Sequence, residues 1–150
     1  MIMRIEEIHK YKKKFLPLLL LGDEQEDMID RYLGDCQMFV LFDGTEAIGE
    51  CVVKVSGNGL VEIKNIAVMP GYQHKGYGRM LIDFLESKFR KLHSVMQVGT
   101  GDSPLTIPFY EKCGFIRTHI IKNFFTDNYD HPIFEDGIQL IDMIYLQKKM

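Results

Sequence analysis

The feature that most constrains the fold is an apolar run that passes through a proline and glycine turn directly into a long amphipathic segment. The run ends at Val68, Pro70 and Gly71 follow it, and apolar residues then recur every three or four positions from Tyr77 to Leu92. This spacing is typical of a helix with one buried face, and proline cannot donate to a strand ladder. The segment therefore predicts a strand, a tight turn and a helix that begins near Tyr77.

The turn between this strand and this helix has the chemistry of an anion site. The N–H groups of a first helical turn have no partner within the helix, and the helix dipole adds a partial positive charge there. Gly76 and Gly78 allow a phosphate to approach the backbone closely, and Lys75 and Arg79 add formal positive charge. We predict that the turn binds a pyrophosphate group.

Two common phosphate-binding loops do not fit these residues. Residues 71–76 have the glycine spacing of a P-loop, but Tyr77 stands where that loop requires a lysine. Gly76 and Gly78 begin a dinucleotide-type glycine motif, but Leu81 occupies the place of its third glycine and no opening βαβ unit precedes it. The sequence therefore argues against both nucleotide folds.

Upstream of the turn, the sequence predicts two helices and then an antiparallel meander. Helical patterns cover about residues 5–21 and 24–33. Three β-branched and apolar runs follow at residues 38–42, 47–55 and 60–69, separated by Asp-Gly and Ser-Gly-Asn-Gly turns. Strands joined by such short turns pair with each other in antiparallel fashion.

Downstream of the long helix, the sequence predicts a return to the sheet. Residues 94–99 read as a strand, which would lie parallel to the strand before the helix in a right-handed crossover. A short helix over residues 106–113 ends at Gly114, a usual residue for a left-handed helix cap. Two more β-like runs, 116–126 and 138–147, follow, with a polar segment between them. No linker or repeat divides the chain, so we expect a single domain over residues 1–150.

Charge and hydropathy restrict the partners that the chain can have. The formal net charge is −3, which gives no global attraction to nucleic acid, and we interpret the short lysine run in residues 10–14 as a solvated surface. The longest apolar run, residues 15–21, is far shorter than the roughly 20 residues of a membrane-spanning helix. We therefore expect neither a nucleic acid nor a membrane partner.

The cysteines and histidines do not form a recognisable metal or disulfide pattern. Cys36, Cys51 and Cys113 are odd in number and lack metal spacing, and the five histidines are scattered. We expect reduced thiols, no metal and a cytoplasmic protein.

The turn and a second segment together resemble the GNAT superfamily of acyl-CoA N-acyltransferases. The family signature Q/R-x-x-G-x-G/A stands here as Gln-His-Lys-Gly-Tyr-Gly at residues 73–78, after Ile-Ala-Val at residues 66–68. Residues 109–115, Phe-Tyr-Glu-Lys-Cys-Gly-Phe, are similar to the family's Y-E-K-x-G-F segment. The resemblance implies an α/β (α+β) fold with a mixed, twisted, mostly antiparallel sheet of about six or seven strands, flanking helices and a central βαβ cofactor site.

The resemblance implies acetyl-CoA as cosubstrate and a primary amine of a small molecule or peptide as acceptor. The main chain of residues 66–68 would hold the pantetheine arm, and residues 73–79 would wrap the diphosphate. Ser103 lies where the family commonly carries an asparagine that contacts the cofactor. The family also includes many dimers, so the resemblance allows a homodimer. The implied cofactor contacts are Ile66, Ala67, Val68, Gln73, His74, Lys75, Gly76, Tyr77, Gly78, Arg79, Ser103 and Tyr110.

Two residues resemble the family's acid and base. An alkylamine, with a pKa of about 10.4, must lose a proton before it attacks a thioester. Glu62 matches a strand glutamate that removes this proton, often through water, and an exposed glutamate on the polar side of the strand is an equally weighted alternative. Tyr110 matches a tyrosine that donates to the departing sulfur, and the alternative is a tyrosine that only packs the short helix.

A second function is compatible with the same cofactor motif. A noncatalytic acyl-CoA-binding regulatory module would keep residues 73–79 and would not need Glu62 or Tyr110 for turnover. The acceptor pocket is expected between the first helices and the tail, where residues 127–136 mix acidic and aromatic side chains. That mixture suits a cationic amine with some apolar surface, and a polar surface loop without a ligand is as good an interpretation.

Overall fold

The first third of the chain begins with a strand, in contrast to the predicted helix over residues 5–21. The computed structural model describes residues 2–150, and in it the chain from Met3 to Ile8 alternates between more and less exposed positions, the period of a strand. Tyr11 then adopts a left-handed conformation with φ of 57°, which separates the strand from a short 3-10 turn. The elements of this part are β1 (Met3–Ile8), α1 (Leu16–Gly22) and α2 (Glu26–Asp30).

The predicted meander and the predicted strand–helix–strand unit are confirmed. The three central strands are antiparallel, and the strand after the long helix pairs parallel with the third of them, as expected for a crossover. Gly114, which follows the short helix, has φ of 98°. The elements are β2 (Gln37–Asp43), β3 (Glu46–Val55), β4 (Leu60–Val68), α3 (Tyr77–Phe89), β5 (Val95–Gly101) and α4 (Ile107–Lys112).

The tail contains the two predicted strands in shortened form and a small additional hairpin. Residues 124–126, which the sequence assigned to a strand, are helical. The elements are β6 (Ile116–Ile121), α5 (Phe124–Asn128), β7 (Phe134–Glu135), β8 (Ile138–Gln139) and β9 (Met143–Lys149).

Seven of the strands form one mixed sheet, which confirms the predicted fold class. Its order is β1-β2-β3-β4-β5-β9-β6, and β4–β5 is its single parallel pair. β7 and β8 pair with each other outside it. No helix within residues 2–150 has the length and apolar character that crossing a membrane requires.

The sheet is covered differently on its two faces. Leu81 and Leu85 of α3 pack with Phe39 in a core that also includes side chains of α4. On the opposite face, Leu19 of α1 packs with Val40, and α1 lies over β3 and β4. The two hydrophobic cores therefore lie on opposite faces of one sheet.

The tail is held against β5 at two glycines. A Cβ atom built on Gly101 would lie 2.5 Å from Leu140 Cδ1, and one on Gly99 would lie 2.7 Å from Met143 Sδ. Only residues without a side chain leave room for this packing. The close packing of the tail against β5 depends on these glycines.

We expect Gly101→Ala to destabilise the protein by about 1–3 kcal/mol, the usual cost of overpacking a well-packed site. Leu140 is only 3% exposed and has little space into which it can move. Chemical denaturation measures the effect, with Gly57→Ala as control because a Cβ there would contact nothing within 4 Å. Equal stability of the two variants would show that the tail adjusts freely.

Candidate active site

The central feature of the site is an opening between β4 and β5. The two strands pair only from Leu60↔Val95 to Ile63↔Val98, although β4 continues to Val68. On the side that faces β5, the backbone beyond Ile63 is therefore not paired with a neighbouring strand. Unpaired strand groups form an edge to which an extended ligand can add.

The glycine-rich turn lies directly beyond the end of this open edge. Gly76 has φ of 90° and caps α3 without any side-chain hydrogen bond, and His74 is also left-handed with φ of 62°. The first helical bond runs from the Met80 N–H to the Gly76 carbonyl at 3.0 Å, so the N–H groups of the preceding residues have no helical acceptor. Residues 73–76 are exposed. The geometry is that of a helix N-terminus open to an anion.

Gly78 has a packing role that the sequence did not indicate. A Cβ atom at this position would lie 2.9 Å from Cζ of Phe109, so the start of α3 and the short helix α4 are in close contact there. By contrast, a Cβ at Gly76 would contact nothing within 4 Å. Gly76 is thus needed for its backbone conformation, and Gly78 for the approach of α4.

The polar side chains of the turn brace its backbone. Gln73 Nε2 donates to the Val68 carbonyl at 2.9 Å, and Arg79 Nη1 donates to the Lys112 carbonyl at 3.2 Å. Lys75 Nζ lies 5.9 Å from the centre of the Tyr72 ring. These contacts hold the end of β4 and the end of α4 at the turn and leave two cations beside it.

Tyr110 lies on α4, next to the residue that contacts Gly78. It is only 5% exposed, and its ring makes edge contacts with Phe109 and Phe115 at centroid distances of 5.2 and 5.7 Å. Burial raises the pKa of its hydroxyl well above the ordinary value, and the negative charge of Glu135 raises it further. The phenol therefore keeps its proton at neutral pH and can act as a donor.

Glu62 is part of a polar chain that crosses three strands. Lys64 Nζ donates to Glu62 Oε2 at 3.2 Å, and Gln97 Nε2 donates to Glu62 Oε1 at 3.2 Å. Gln97 in turn accepts from Gln147 Nε2 at 2.7 Å. Each oxygen of the Glu62 carboxylate thus already has a protein donor. At about 3.3 Å per residue, Glu62 also lies about 13 Å along the strand from Ile66.

Ser103 is part of the loop that leads into α4. Its side chain is buried, at 2% exposure, and Oγ accepts a hydrogen bond from the Leu105 N–H at 3.1 Å. Its carbonyl accepts from the N–H groups of Thr106 and Ile107. These bonds give Ser103 a turn-capping role, and the neighbouring Asp102 is exposed.

A buried carboxylate that sequence reasoning missed lies on β3. Glu50 has 0% exposure, and neither of its oxygens has a hydrogen-bond partner within residues 2–150. Burial raises its pKa well above the ordinary value. In the sequence, Glu50 is a single charged residue between Gly49 and Cys51, without any motif around it. Its burial under α1, which lies over β3 and β4, makes it unusual.

Glu50 should make stability fall as the pH rises. Because its native pKa is raised, the folded protein keeps a proton that the unfolded chain loses near the ordinary carboxyl pKa, so the free energy of unfolding decreases above that pH. We expect Glu50→Gln to have a higher Tm than wild type at pH 8, with a difference that shrinks toward pH 4. One kcal/mol corresponds to about 2–4 °C in a domain of this size.

Thermal melts across this pH range measure the effect, and Glu6→Gln on the exposed face of β1 is the control. A constant difference between Glu50→Gln and wild type from pH 4 to pH 8 would contradict the raised pKa.

A hydrogen-bonded strap joins the tail to the first helices. The Tyr129 hydroxyl donates to Asp23 Oδ1 at 2.7 Å, and the Tyr32 hydroxyl donates to Asp23 Oδ2 at 3.2 Å. Asn65 Nδ2 donates to the Tyr32 oxygen at 3.1 Å, which connects the strap to β4. His131 Nε2 lies 2.9 Å from Glu24 Oε1. The tail therefore lies beside α1 and α2 where the acceptor pocket was expected.

The lysine run near the start of the chain has structural partners. Lys12 Nζ donates to the Leu33 carbonyl at 3.0 Å, and Lys13 Nζ lies 2.7 Å from Glu26 and 2.6 Å from Asp30. These contacts pack the run against α2.

The fold and the open-edged strand that leads into a helix N-terminus define an acyl-CoA-dependent N-acyltransferase. The model of the acetyltransferase (GNAT) domain matches residues 34–117. An uncharacterized N-acetyltransferase of Bacillus subtilis (strain 168), YvbK, is 37% identical over 146 residues, covering 96% of this chain and 94% of the relative. The chain belongs to the GNAT acetyltransferase family.

Solved structures agree with this assignment over nearly the whole chain. A GNAT family acetyltransferase from Elizabethkingia anophelis, with acetyl-CoA bound, is 35% identical with a TM-score of 0.90, covering 99% of this chain and 98% of that one. A Bacillus subtilis acetyltransferase in complex with CoA is 36% identical with a TM-score of 0.89, and an IAA acetyltransferase from Bacillus cereus is 33% identical with a TM-score of 0.91. Each of the latter two matches covers 99% of both chains.

Proposed function

We propose that this protein transfers an acetyl group from acetyl-CoA to a primary amine of a small molecule or peptide. The observation that carries the proposal is the open edge of β4 beyond Ile63, which ends at the exposed N-terminus of α3. An extended arm with a diphosphate at one end fits an unpaired strand edge with an anion site at its end. The structures of similar proteins that contain acetyl-CoA or CoA support this choice of ligand.

The cofactor is proposed to lie along β4 with its diphosphate at the turn. Backbone groups of residues 66–68 pair with the pantetheine amides, and the free N–H groups at the start of α3 bind the phosphates. Lys75 and Arg79 add positive charge, while Gln73 fixes the end of β4. His74 and Tyr77 complete the turn. Ser103 accepts hydrogen bonds at the start of α4 and in this way is proposed to position α4 beside the cofactor.

Acyl transfer at this site needs a polarised carbonyl, a neutral amine and a proton for the sulfur. An unpaired N–H on the open stretch of β4 donates to the thioester oxygen as negative charge develops on it. The amine nitrogen attacks the carbonyl carbon, the carbon–sulfur bond breaks, and Tyr110 donates its proton to the sulfur. Glu62 is proposed to accept the amine proton through water, because its own oxygens are held by Lys64 and Gln97.

The acceptor is proposed to enter beside the strap formed by Asp23, Tyr32 and Tyr129. Acidic side chains predominate on this side of the site, where Glu24, Asp130 and Glu135 lie near the strap or near Tyr110. A positively charged amine is attracted to such surroundings.

Calorimetric titration tests the cofactor assignment. Acetyl-CoA and CoA should each bind with a stoichiometry of one per chain, and NAD⁺ and ATP should not compete with them, since the turn lacks the residues of both nucleotide loops. Absence of any heat with acetyl-CoA, for a protein shown to be folded by circular dichroism, would overturn the assignment of residues 73–79.

A further inference from the structure

The buried side-chain atoms that lack a hydrogen-bond partner are all oxygens. Within residues 2–150 they are both carboxylate oxygens of Glu50, Oδ1 of Asn65 and Oε2 of Glu135. Each of these atoms accepts hydrogen bonds when its group is ionised or an amide, and no buried side-chain nitrogen of the described chain lacks an acceptor. A ligand that satisfies the two Glu50 oxygens must bring N–H donors, and a positive charge when the carboxylate is ionised.

Glu50 lies beside the stretch of β4 that the proposed function assigns to the cofactor. In the strand register it is directly opposite Ala67 on one side and Val40 on the other. Directly opposite residues share a face of the sheet, with Cβ atoms about 4.5–5.5 Å apart. Because Val40 packs with Leu19 of α1, Glu50 points to the α1 side, the side of the expected acceptor pocket.

Glu50 is also electrostatically coupled to two tyrosines and one cysteine. Its negative charge contributes to the raised pKa of Tyr110 on α4 and to that of Tyr32 after α2. The same charge raises the pKa of the neighbouring Cys51, on the opposite face. The register places Glu50 beside Ala67 on the face of the sheet that α1 covers.

Within residues 2–150, no cation pairs with Glu50, in contrast to Glu62. Its raised pKa has burial as its one cause, with no contribution from a lysine or arginine. Glu62 has Lys64 at 3.2 Å and Gln97 at 3.2 Å. Of the two strand glutamates, Glu50 is the one whose oxygens are free to receive a ligand.

We propose that Glu50 receives the ammonium group of the acceptor and takes its proton directly, so that the acceptor is an alkylammonium cation. This inference rests on the proposed acetyl transfer and replaces the water route through Glu62 for the first proton. It also assigns a ligand to the two unpaired oxygens of Glu50.

The proton and electron balance is simple. The acceptor R–NH₃⁺ gives one proton to the Glu50 carboxylate, and its nitrogen lone pair forms the new bond to the thioester carbon. The carbon–sulfur bond breaks with its electron pair on sulfur, Tyr110 protonates the sulfur, and the second amine proton restores Tyr110. Glu50 then releases its proton to solvent, so each turnover yields an amide, a thiol and one proton.

Entry of the acceptor requires movement of the cover over Glu50. The side chain has 0% exposure, and α1 covers β3 and β4 on this face. Asn65 Nδ2 donates to the Leu19 carbonyl at 3.0 Å, and Asp23 at the end of α1 is bonded to Tyr129. The acceptor is admitted when these contacts open and is held in a dry site when they close.

The proposal predicts a specific pH dependence. The titratable groups coupled to Glu50 are Tyr32 after α2, Tyr110 on α4 and Cys51 on β3, and Lys64 Nζ lies 5.8 Å from the centre of the Tyr32 ring. An incoming ammonium favours the ionised carboxylate, so kcat/KM for the amine should fall as the pH drops and Glu50 becomes protonated. This acid limb should be absent in Glu50→Gln and retained in Glu62→Gln.

The test uses thiol release with acetyl-CoA and the amines 1,5-diaminopentane, lysine methyl ester and aniline. Wild type should prefer the alkylamines, which are cations at neutral pH, over aniline, which is neutral. Glu50→Gln should lower kcat/KM for the preferred alkylamine by about 100-fold and leave acetyl-CoA binding unchanged. Glu50→Asp should restore part of the rate, and Glu6→Gln should match wild type.

The outcomes separate this inference from the proposed function. If wild type binds acetyl-CoA and acetylates an alkylamine, but Glu50→Gln keeps its rate and its acid limb, Glu50 has no role with the acceptor. A preference for aniline would likewise overturn the cationic acceptor. If wild type acetylates none of the amines, the proposed function itself fails. Thermal melts of each variant show whether a lost rate comes from unfolding.

Discussion

Replacement of Tyr110 by phenylalanine should lower kcat by about 100-fold or more, the usual contribution of a positioned proton donor. Burial and the charge of Glu135 raise the pKa of this hydroxyl, so it is protonated at neutral pH and ready to donate. The ring itself packs against Phe109 and Phe115, and phenylalanine preserves those contacts. The variant should therefore fold normally and bind acetyl-CoA with wild-type affinity.

Steady-state thiol release and calorimetry together test this expectation. The matched control is Tyr11→Phe, because Tyr11 is 84% exposed and lies far along the chain in the turn after β1. A Tyr110→Phe variant with wild-type kcat would remove the hydroxyl from the reaction. A variant that loses acetyl-CoA binding would assign Tyr110 to the cofactor site alone.

Replacement of Gly76 by valine should have the second large effect, on cofactor affinity. Gly76 has φ of 90°, where a β-branched residue is strongly disfavoured, and such strain costs on the order of 1–3 kcal/mol. The open space around its Cβ position excludes a simple steric clash as the cause. The turn should move to relieve the strain and misplace the N–H groups at the start of α3, raising the Kd for acetyl-CoA roughly 10-fold or more.

The control for this experiment is Gly57→Val, in the turn between β3 and β4, where a Cβ also meets open space and φ is not positive. Calorimetric titration of both variants gives the comparison. Equal affinity of Gly76→Val and wild type for acetyl-CoA would mean that the turn does not bind the diphosphate.

The part of the fold that could be predicted from the sequence is the part determined by local patterns. The helix from Tyr77 has a clear apolar period, and the meander has turn residues at each junction, so β2, β3, β4 and α3 were expected close to their actual bounds. The segments at residues 73–78 and 109–115 together then indicated the family. In this region the hydrophobic periodicity, the turn residues and the sequence motif all indicate the same structure, and the prediction therefore succeeded there.

The first strand could not be predicted because its partner is distant in the sequence. Met3 pairs with Asp43 and Ile8 with Met38, and neither contact leaves a local signal. The short apolar stretch near Ile5 is compatible with a helix or a strand by period alone. The pairing at the edge of the sheet decides between them.

In the candidate site too, only the residues with a local sequence signal could be predicted. Gly76, Gly78 and Tyr110 belong to recognisable motifs, but the contact of Glu62 with Gln97 arises from two strands that are distant in the sequence. The sequence does not mark Glu50, because its burial depends on α1, which ends 28 residues before it. Burial of a charged group by distant elements is a property of the tertiary structure.

The measurement that tests the central claim most directly is thiol release by the wild-type protein with acetyl-CoA, with mass spectrometry of the amine. The account predicts thiol release that depends on both protein and amine, with one acetyl group gained on the amine nitrogen for each thiol released. Thiol release without acetylated amine, or binding of acetyl-CoA with no turnover across the alkylamines, would contradict it.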